Sequence, residues 1–183
     1  MSDGRNVLLT GCPGVGKTTA VERLIERARD RNKTVRGVFS PEMCEDGERV
    51  GFRITDLSTD RSEVMAHTEY GGPSVGKYGV DVSAVDEIAR EAVVSTDADL
   101  VVVDEIAPMQ THSDVFVERV RGVLDSETLV AGVVQESGET GFVGSVKQRE
   151  DTTLVRVTEE NRDEVPDELA RLVFKGGDSP QTF

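Results

Sequence analysis

In one stretch of this chain, Gly11-Cys12-Pro13-Gly14-Val15-Gly16-Lys17-Thr18, residue type and spacing together dictate a chemistry. The stretch fits G-x-x-x-x-G-K-[ST] without a gap. Its glycines admit positive φ, so the backbone can curl and aim successive N–H groups at one point. With a helix N-terminus directly behind it, such a loop holds a β-phosphate. Lys17 then reaches the β and γ oxygens, and the Thr18 hydroxyl is a ligand for Mg2+. The expected nucleotide-binding set is Gly11, Cys12, Pro13, Gly14, Val15, Gly16, Lys17, Thr18 and Thr19. The bland alternative is a chance glycine-rich turn. Context argues against it, because an apolar run precedes the loop and an amphipathic segment follows.

Val101-Val102-Val103-Asp104-Glu105 supplies the carboxylates such a site needs. A parallel strand beside the first would carry Asp104 to the same C-terminal edge. There an acid holds Mg2+ through a water. Glu105, one residue on, is placed to orient and deprotonate an attacking water. The expected catalytic residues are therefore Lys17 and Glu105, and the expected metal ligands Thr18 and Asp104. In so acidic a chain, the simpler alternative is a solvated acidic turn.

Other candidates carry less. His67 and His112 have no ligand pattern around them and read as structural or solvated. Cys12 reads as a small filler whose backbone matters. Asn32-Lys33-Thr34-Val35 resembles a guanine-reading motif but lacks its Asp. Lys77, Arg149 and Arg162 are candidate cations for a phosphoryl transition state. A surface role is the simpler reading for each.

These residues must be positioned by regular elements. Apolar runs predict buried strands over 5–10, 34–39, 100–103 and 128–134, with a further strand over 153–157. Apolar residues three and four apart predict helices over 17–31, 113–124 and 163–174. Ser83 with Asp86 resembles a capping box, which starts a helix running to about Val94. A turn at Glu45-Asp46-Gly47-Glu48 and alternation over 50–57 predict a β-hairpin inserted after the second strand. Residues 58–79 read as a loop, with a short strand over 63–66. Strands alternating with helices make the class α/β: three layers around a mainly parallel sheet. One domain over 1–175 is expected, with a disordered tail over 176–183.

Thirty-five acids against 21 bases give a net charge of −14 over 183 residues, and only five of the bases are lysines. That surface repels phosphate backbones, so nucleic acid is a poor partner. It also excludes a polybasic membrane anchor. No apolar run approaches the ~18 residues of a membrane span. With no leader pattern and two isolated cysteines, Cys12 and Cys44, a cytoplasmic protein with free thiols is expected. The charge balance suggests a halophilic, salt-adapted chain.

The quoted stretches also resemble a known family: the small RecA-like nucleoside-triphosphatases that include the archaeal thermophilic enzyme and the human cancer-related NTPase. The resemblance runs from about Asn6 to Phe174. Beyond the generic Gly11–Thr18 loop, it is carried by Gly37-Val38-Phe39 leading to Glu42, by Val50-Gly51-Phe52-Arg53-Ile54, and by Gly76-Lys77-Tyr78-Gly79-Val80-Asp81-Val82. Asp104-Glu105-Ile106 and Thr158-Glu159-Glu160-Asn161-Arg162 follow in the family's order. The resemblance implies a P-loop enzyme that hydrolyses nucleoside 5′-triphosphates to diphosphates, with Mg2+ and broad base tolerance; a monomer is expected. There are departures. Where the family usually continues Gly-Lys-Met-Glu, this chain has Ala107-Pro108-Met109-Gln110, and Ala131-Gly132 is the nearest equivalent of the family's Ala-Thr segment. A small-molecule or nucleic-acid kinase and a slow nucleotide-binding switch share the same phosphate cradle and stay open as alternatives.

The charge balance is testable. Salt at 1 M shortens the Debye length to about 3 Å and screens self-repulsion. The melting temperature should therefore rise as KCl goes from the millimolar to the molar range. A flat or falling trend in thermal denaturation contradicts salt adaptation.

Overall fold

The computed structural model describes residues 5–174. The tail expected over 176–183 lies outside them.

The chain starts with β1 (Asn6–Thr10), every residue of which is buried, and passes through the glycine loop into α1 (Lys17–Asp30). β2 (Val35–Phe39), β3 (Glu42–Glu45), β4 (Glu48–Asp56), β5 (Ser62–His67), β6 (Ser74–Val75) and β7 (Tyr78–Val80) follow. Then come α2 (Val82–Ala92), β8 (Leu100–Ile106), the one-turn α3 (Pro108–Thr111) and α4 (Asp114–Asp125). β9 (Leu129–Val134), α5 (Gly141–Lys147), β10 (Thr152–Arg156) and α6 (Val165–Val173) complete the fold. No helix among the described residues is long and apolar enough to cross a membrane.

The sheet runs β10-β1-β9-β8-β2-β4-β5-β7-β6, with β3 paired to β4 off this path. The pairings from β10 to β2 are parallel, and those beyond β2 are antiparallel. Successive side chains of a strand point to opposite faces, and this alternation divides the interior. Val7 and Leu9 of β1, with Leu100 and Val102 of β8, pack under α1 and α6. Leu8 of β1, with Val101 and Val103 of β8, packs against α2, α4 and α5. The three-layer α/β architecture follows from this two-sided burial.

The structure corrects several sequence expectations. β8 does not lie beside β1; β9 is inserted between them, pairing Leu8 with Gly132 on one side and Val102 with Ala131 on the other. Periodicity identifies a strand buried on both faces but says nothing about its neighbours. α2 is capped by Asp81, whose side chain accepts from the Ala84 amide at 3.1 Å, and Ser83 sits inside the first turn. The expected hairpin exists as β3–β4, turning at Asp46 (φ 50°) and Gly47 (φ 82°). Residues 58–79, however, hold three strands rather than a loop with one. β6 and β7 have two and three residues, too few to register a period. α5 was unanticipated, since its sequence GFVGSVK carries two glycines of low helix propensity.

The antiparallel strands form a wing registered to the parallel sheet at Val38 with Asp56 and Phe39 with Thr55, and Ile54 and Met65 bury in the core shared with α2. Arg61 also braces it on α2, reaching Glu91 at 3.2 Å and pairing with Glu87.

α1 presents Ala20, Val21, Leu24, Ile25 and Ala28 to the core, and this stripe holds the glycine loop in place. Leu24 is completely buried. Leu24→Ala should cost about 2–5 kcal/mol through lost transfer energy and the cavity left behind. Urea denaturation reads this as a lower midpoint at unchanged slope; no change would mean α1 is not anchored by this stripe.

Candidate nucleotide site

The loop from Gly11 to Gly16 leaves β1 and enters α1 with two glycines under real constraint. Gly11 has φ 146°, and a Cβ there would meet the Val157 carbonyl oxygen at 2.5 Å. Gly16, at φ 117°, caps α1 without any side-chain hydrogen bond. The first N–H groups of α1 are therefore left for an anion. Lys17 Nζ donates to the carbonyls of Gly11 at 2.6 Å and Cys12 at 2.8 Å, so the ammonium lies across the loop that carries it.

The carboxylates arrive from β8. Asp104 is 6% exposed, and its Oδ2 is buried without a hydrogen-bond partner. Burial pushes its pKa up to about 7; the hydrogen bond with Thr18 and the charge of Lys17 oppose this, while Glu105 and Glu22 add to it. Glu105 follows through a cis peptide bond. The β8–β9 register passes from Asp104–Val133 to Ile106–Val134, which leaves Glu105 out of the ladder. Burial raises the Glu105 pKa as well, against the pull of Lys17.

Thr18 and Asp104 are thus in contact, one hydroxyl and one carboxylate with an unmatched oxygen. Hard oxygen donors of this kind fit Mg2+, which typically takes one or two carboxylates and completes its shell with water and substrate phosphates. Among the described residues no cluster of three or more His, Cys, Asp or Glu side chains forms an all-protein cage.

All of this opens into one cleft of about 850 Å³. Gly11, Pro13, Gly14, Gly16, Lys17, Thr18, Thr19, Asp104 and Glu105 line it. Two members of the expected nucleotide set sit differently. Val15 is buried in the core beneath α1, and the exposed Cys12 contributes its carbonyl to Lys17.

The remaining candidates separate clearly. Arg149 is engaged by Asp125, Asp151 and the Leu124 carbonyl, a structural clamp away from the cleft. Lys77 lies over the Tyr78 ring at 5.4 Å. Arg162 comes closest: its Cβ would be 3.8 Å from a Cβ placed on Gly16. His67 Nδ1 accepts from the Glu69 amide, and His112 ends α3. Asn32 is a left-handed turn residue at φ 56°. Ala131 and Gly132 lie inside β9, so the residues this strand brings to the cleft are Val133 and, just past its end, Gln135.

Sequence reasoning did not assign the far wall of the cleft. Ser40, Glu42, Arg49, Phe52, Met65 and Val75 come from the wing, and Pro108, Met109 and Gln110 from α3. Arg49 donates to Glu42 at 2.6 Å and to the Tyr78 hydroxyl at 3.1 Å. Gln110 is 2% exposed; its Nε2 donates to Ser40 Oγ at 2.9 Å, and its Oε1 has no partner. The available signals were that Glu42 and Phe52 fall in the stretches carrying the family resemblance and that Pro108, Met109 and Gln110 fall where the chain departs from it.

Asp104 makes a pH prediction. Its folded-state pKa of about 7 lies above the ordinary value of 3.8. Between these values the folded, ligand-free protein holds a proton that the unfolded chain has released, so stability falls as pH rises through that window. Asp104→Asn has no proton to lose. In urea titrations it should gain stability relative to wild type from acid to neutral pH, and a pH-independent difference contradicts the assignment.

Comparison with known proteins adds the following. The sequence model of a family described as NTPase matches residues 6–170. The nucleoside-triphosphatase THEP1 of Thermofilum pendens is 39% identical over 173 residues, covering 92% of this chain and 95% of that protein. The solution structure of a human cancer-related nucleoside triphosphatase superposes with a TM-score of 0.79 at 28% identity, covering 95% of this chain and all of the other. The crystal structure of THEP1 from Aquifex aeolicus gives 0.77 at 27% identity, covering 92% and 99%.

Proposed function

The chain belongs to this NTPase family and is a nucleoside-triphosphatase, and from that premise we propose that it cleaves the β–γ phosphoanhydride of nucleoside 5′-triphosphates with Mg2+ and little regard for the base. The observation that carries the reading is the convergence of Lys17, Thr18, Asp104 and Glu105 on one cleft.

The glycine loop and the open N-terminus of α1 receive the β-phosphate. Lys17, released from its own loop carbonyls, spans the β and γ oxygens and offsets the charge that develops as the bond breaks. Thr18 and Asp104 would hold the metal, which would supply positive charge against the phosphate oxygens. Glu105 accepts a proton from the attacking water. Oxygen bonds to the γ-phosphorus, the bridging oxygen leaves with the diphosphate, and phosphate is the second product. Burial favours Glu105 as a base, since desolvation raises its proton affinity. Base tolerance is supported by the curated relatives, which are named for nucleoside triphosphates as a class. A monomeric, cytoplasmic, salt-adapted protein that ignores nucleic acid fits the charge of −14 and the exposed free thiols.

Glu105→Gln keeps the size of the side chain but cannot take a proton. Phosphate release should fall about a hundred- to ten-thousand-fold, with nucleotide binding retained. Lys17→Ala should lose both turnover and binding. Near-wild-type phosphate release by Glu105→Gln would place the base elsewhere.

A further inference from the structure

Hydrolysis uses only part of the cleft. The phosphate loop follows β1, and Glu105 lies on β8; in the strand order, β2 and the wing lie on the far side of β8 from β1. A triphosphate seated on the loop points its γ end at Lys17 and Glu105. Beyond that end, away from the loop, the cleft continues between the wing and α3.

This outer chamber is walled by Phe52, Met65, Val75, Pro108 and Met109. A single attacking water needs no such apolar wall. The whole cleft, about 850 Å³, falls in the range of sites that enclose organic ligands. The chamber also contains one polar atom with nothing to do. Gln110 is buried, its amide nitrogen is used by Ser40, and its Oε1 is an acceptor without a donor. Native structures rarely leave such an atom unmatched. The arginine lining this chamber is not free: the Arg49 guanidinium is committed to Glu42 and Tyr78 and lies over the Phe52 ring at 5.2 Å. The Glu105 carboxylate, without an ion-pair partner of its own among the described residues, disfavours a further anion beside it.

The geometry points to a second substrate site. The chamber takes a neutral alcohol with a flat, largely apolar ring and an N–H or O–H donor, and the enzyme transfers the γ-phosphoryl group to it. This rests on the proposed γ-phosphate site at Lys17 and Glu105. The ring lies among Phe52, Val75 and Met109, the donor meets Gln110 Oε1, and the hydroxyl faces Glu105. Glu105 takes the hydroxyl proton, the alkoxide oxygen bonds to the γ-phosphorus, and the β–γ bridging oxygen leaves. Alcohol and triphosphate become a phosphate monoester, a diphosphate and a proton.

The test uses γ-labelled ATP and Mg2+ with uridine, thymidine or pyridoxine as ring alcohols, and glycerol or serine as ringless controls. Products are separated as phosphate and phosphate ester. At least one ring alcohol should yield labelled ester at tenfold or more the rate of hydrolysis, and the controls none. Val75→Phe fills the chamber from the wing and Met109→Phe from α3. Each should lose ester formation at least tenfold while acceptor-free hydrolysis stays within twofold, with thermal melting verifying that each is folded. Hydrolysis without ester from any ring alcohol overturns the proposal. So does a base-dependent rise in KM for triphosphates in the filled variants, which would mean the chamber holds the nucleobase. Absence of hydrolysis in the acceptor-free control instead overturns the triphosphatase mechanism on which the proposal rests.

Discussion

The contact between the Thr18 hydroxyl and the buried Asp104 carboxylate is the constraint on which the site depends. It joins the first turn of α1 to the end of β8 across the intervening β9. Every catalytic distance is set by how firmly those two elements are held. The price is an acid buried with one unmatched oxygen, and its raised pKa records that penalty. Positive charge nearby opposes the penalty, as Lys17 does in part.

Rigidity behind that contact comes from the two-sided core. β1, β9 and β8 are buried on both faces, so their edges cannot drift without disturbing both layers of helices. Close approach of backbones serves the same end: a Cβ on Gly132 would lie 2.1 Å from the Val103 carbonyl oxygen. The wing is tied into the same core: Ile54 of β4 and Met65 of β5 are fully buried against α2, and the exposed ion pairs of Arg61 on α2 add little each.

The acidic surface bears on the same site. Several arginines are drawn into pairs with the surplus acids, as with Arg61, Arg149 and Arg49. Lys17 is different: it rests on backbone carbonyls, and a triphosphate can displace those neutral partners without breaking an ion pair.

How much was legible in the chain follows from how local each feature is. The phosphate loop was readable because its glycines, lysine and threonine are contiguous and act through their own backbone conformation. The buried strands and amphipathic helices were readable because burial on both faces imposes a continuous apolar run, and burial on one face of a helix a period of 3.6, on the residues themselves. Asp104 and Glu105 were readable as the end of such a strand. Strand order was not, since a period records what a strand buries and not which strand lies beside it, and so β9 between β1 and β8 went unseen. The far wall was hidden for the same reason. Gln110 meets Ser40 across 70 positions of sequence; Phe52 lies on a strand whose alternation was readable but does not say what its side chain faces, and Val75 lies on a two-residue strand too short to carry a period. The sequence by itself determined the glycine loop with the strand before it and the helix behind it. Only tertiary structure decided what else stands within reach of it, because that depends on which distant segments the sheet brings to one edge.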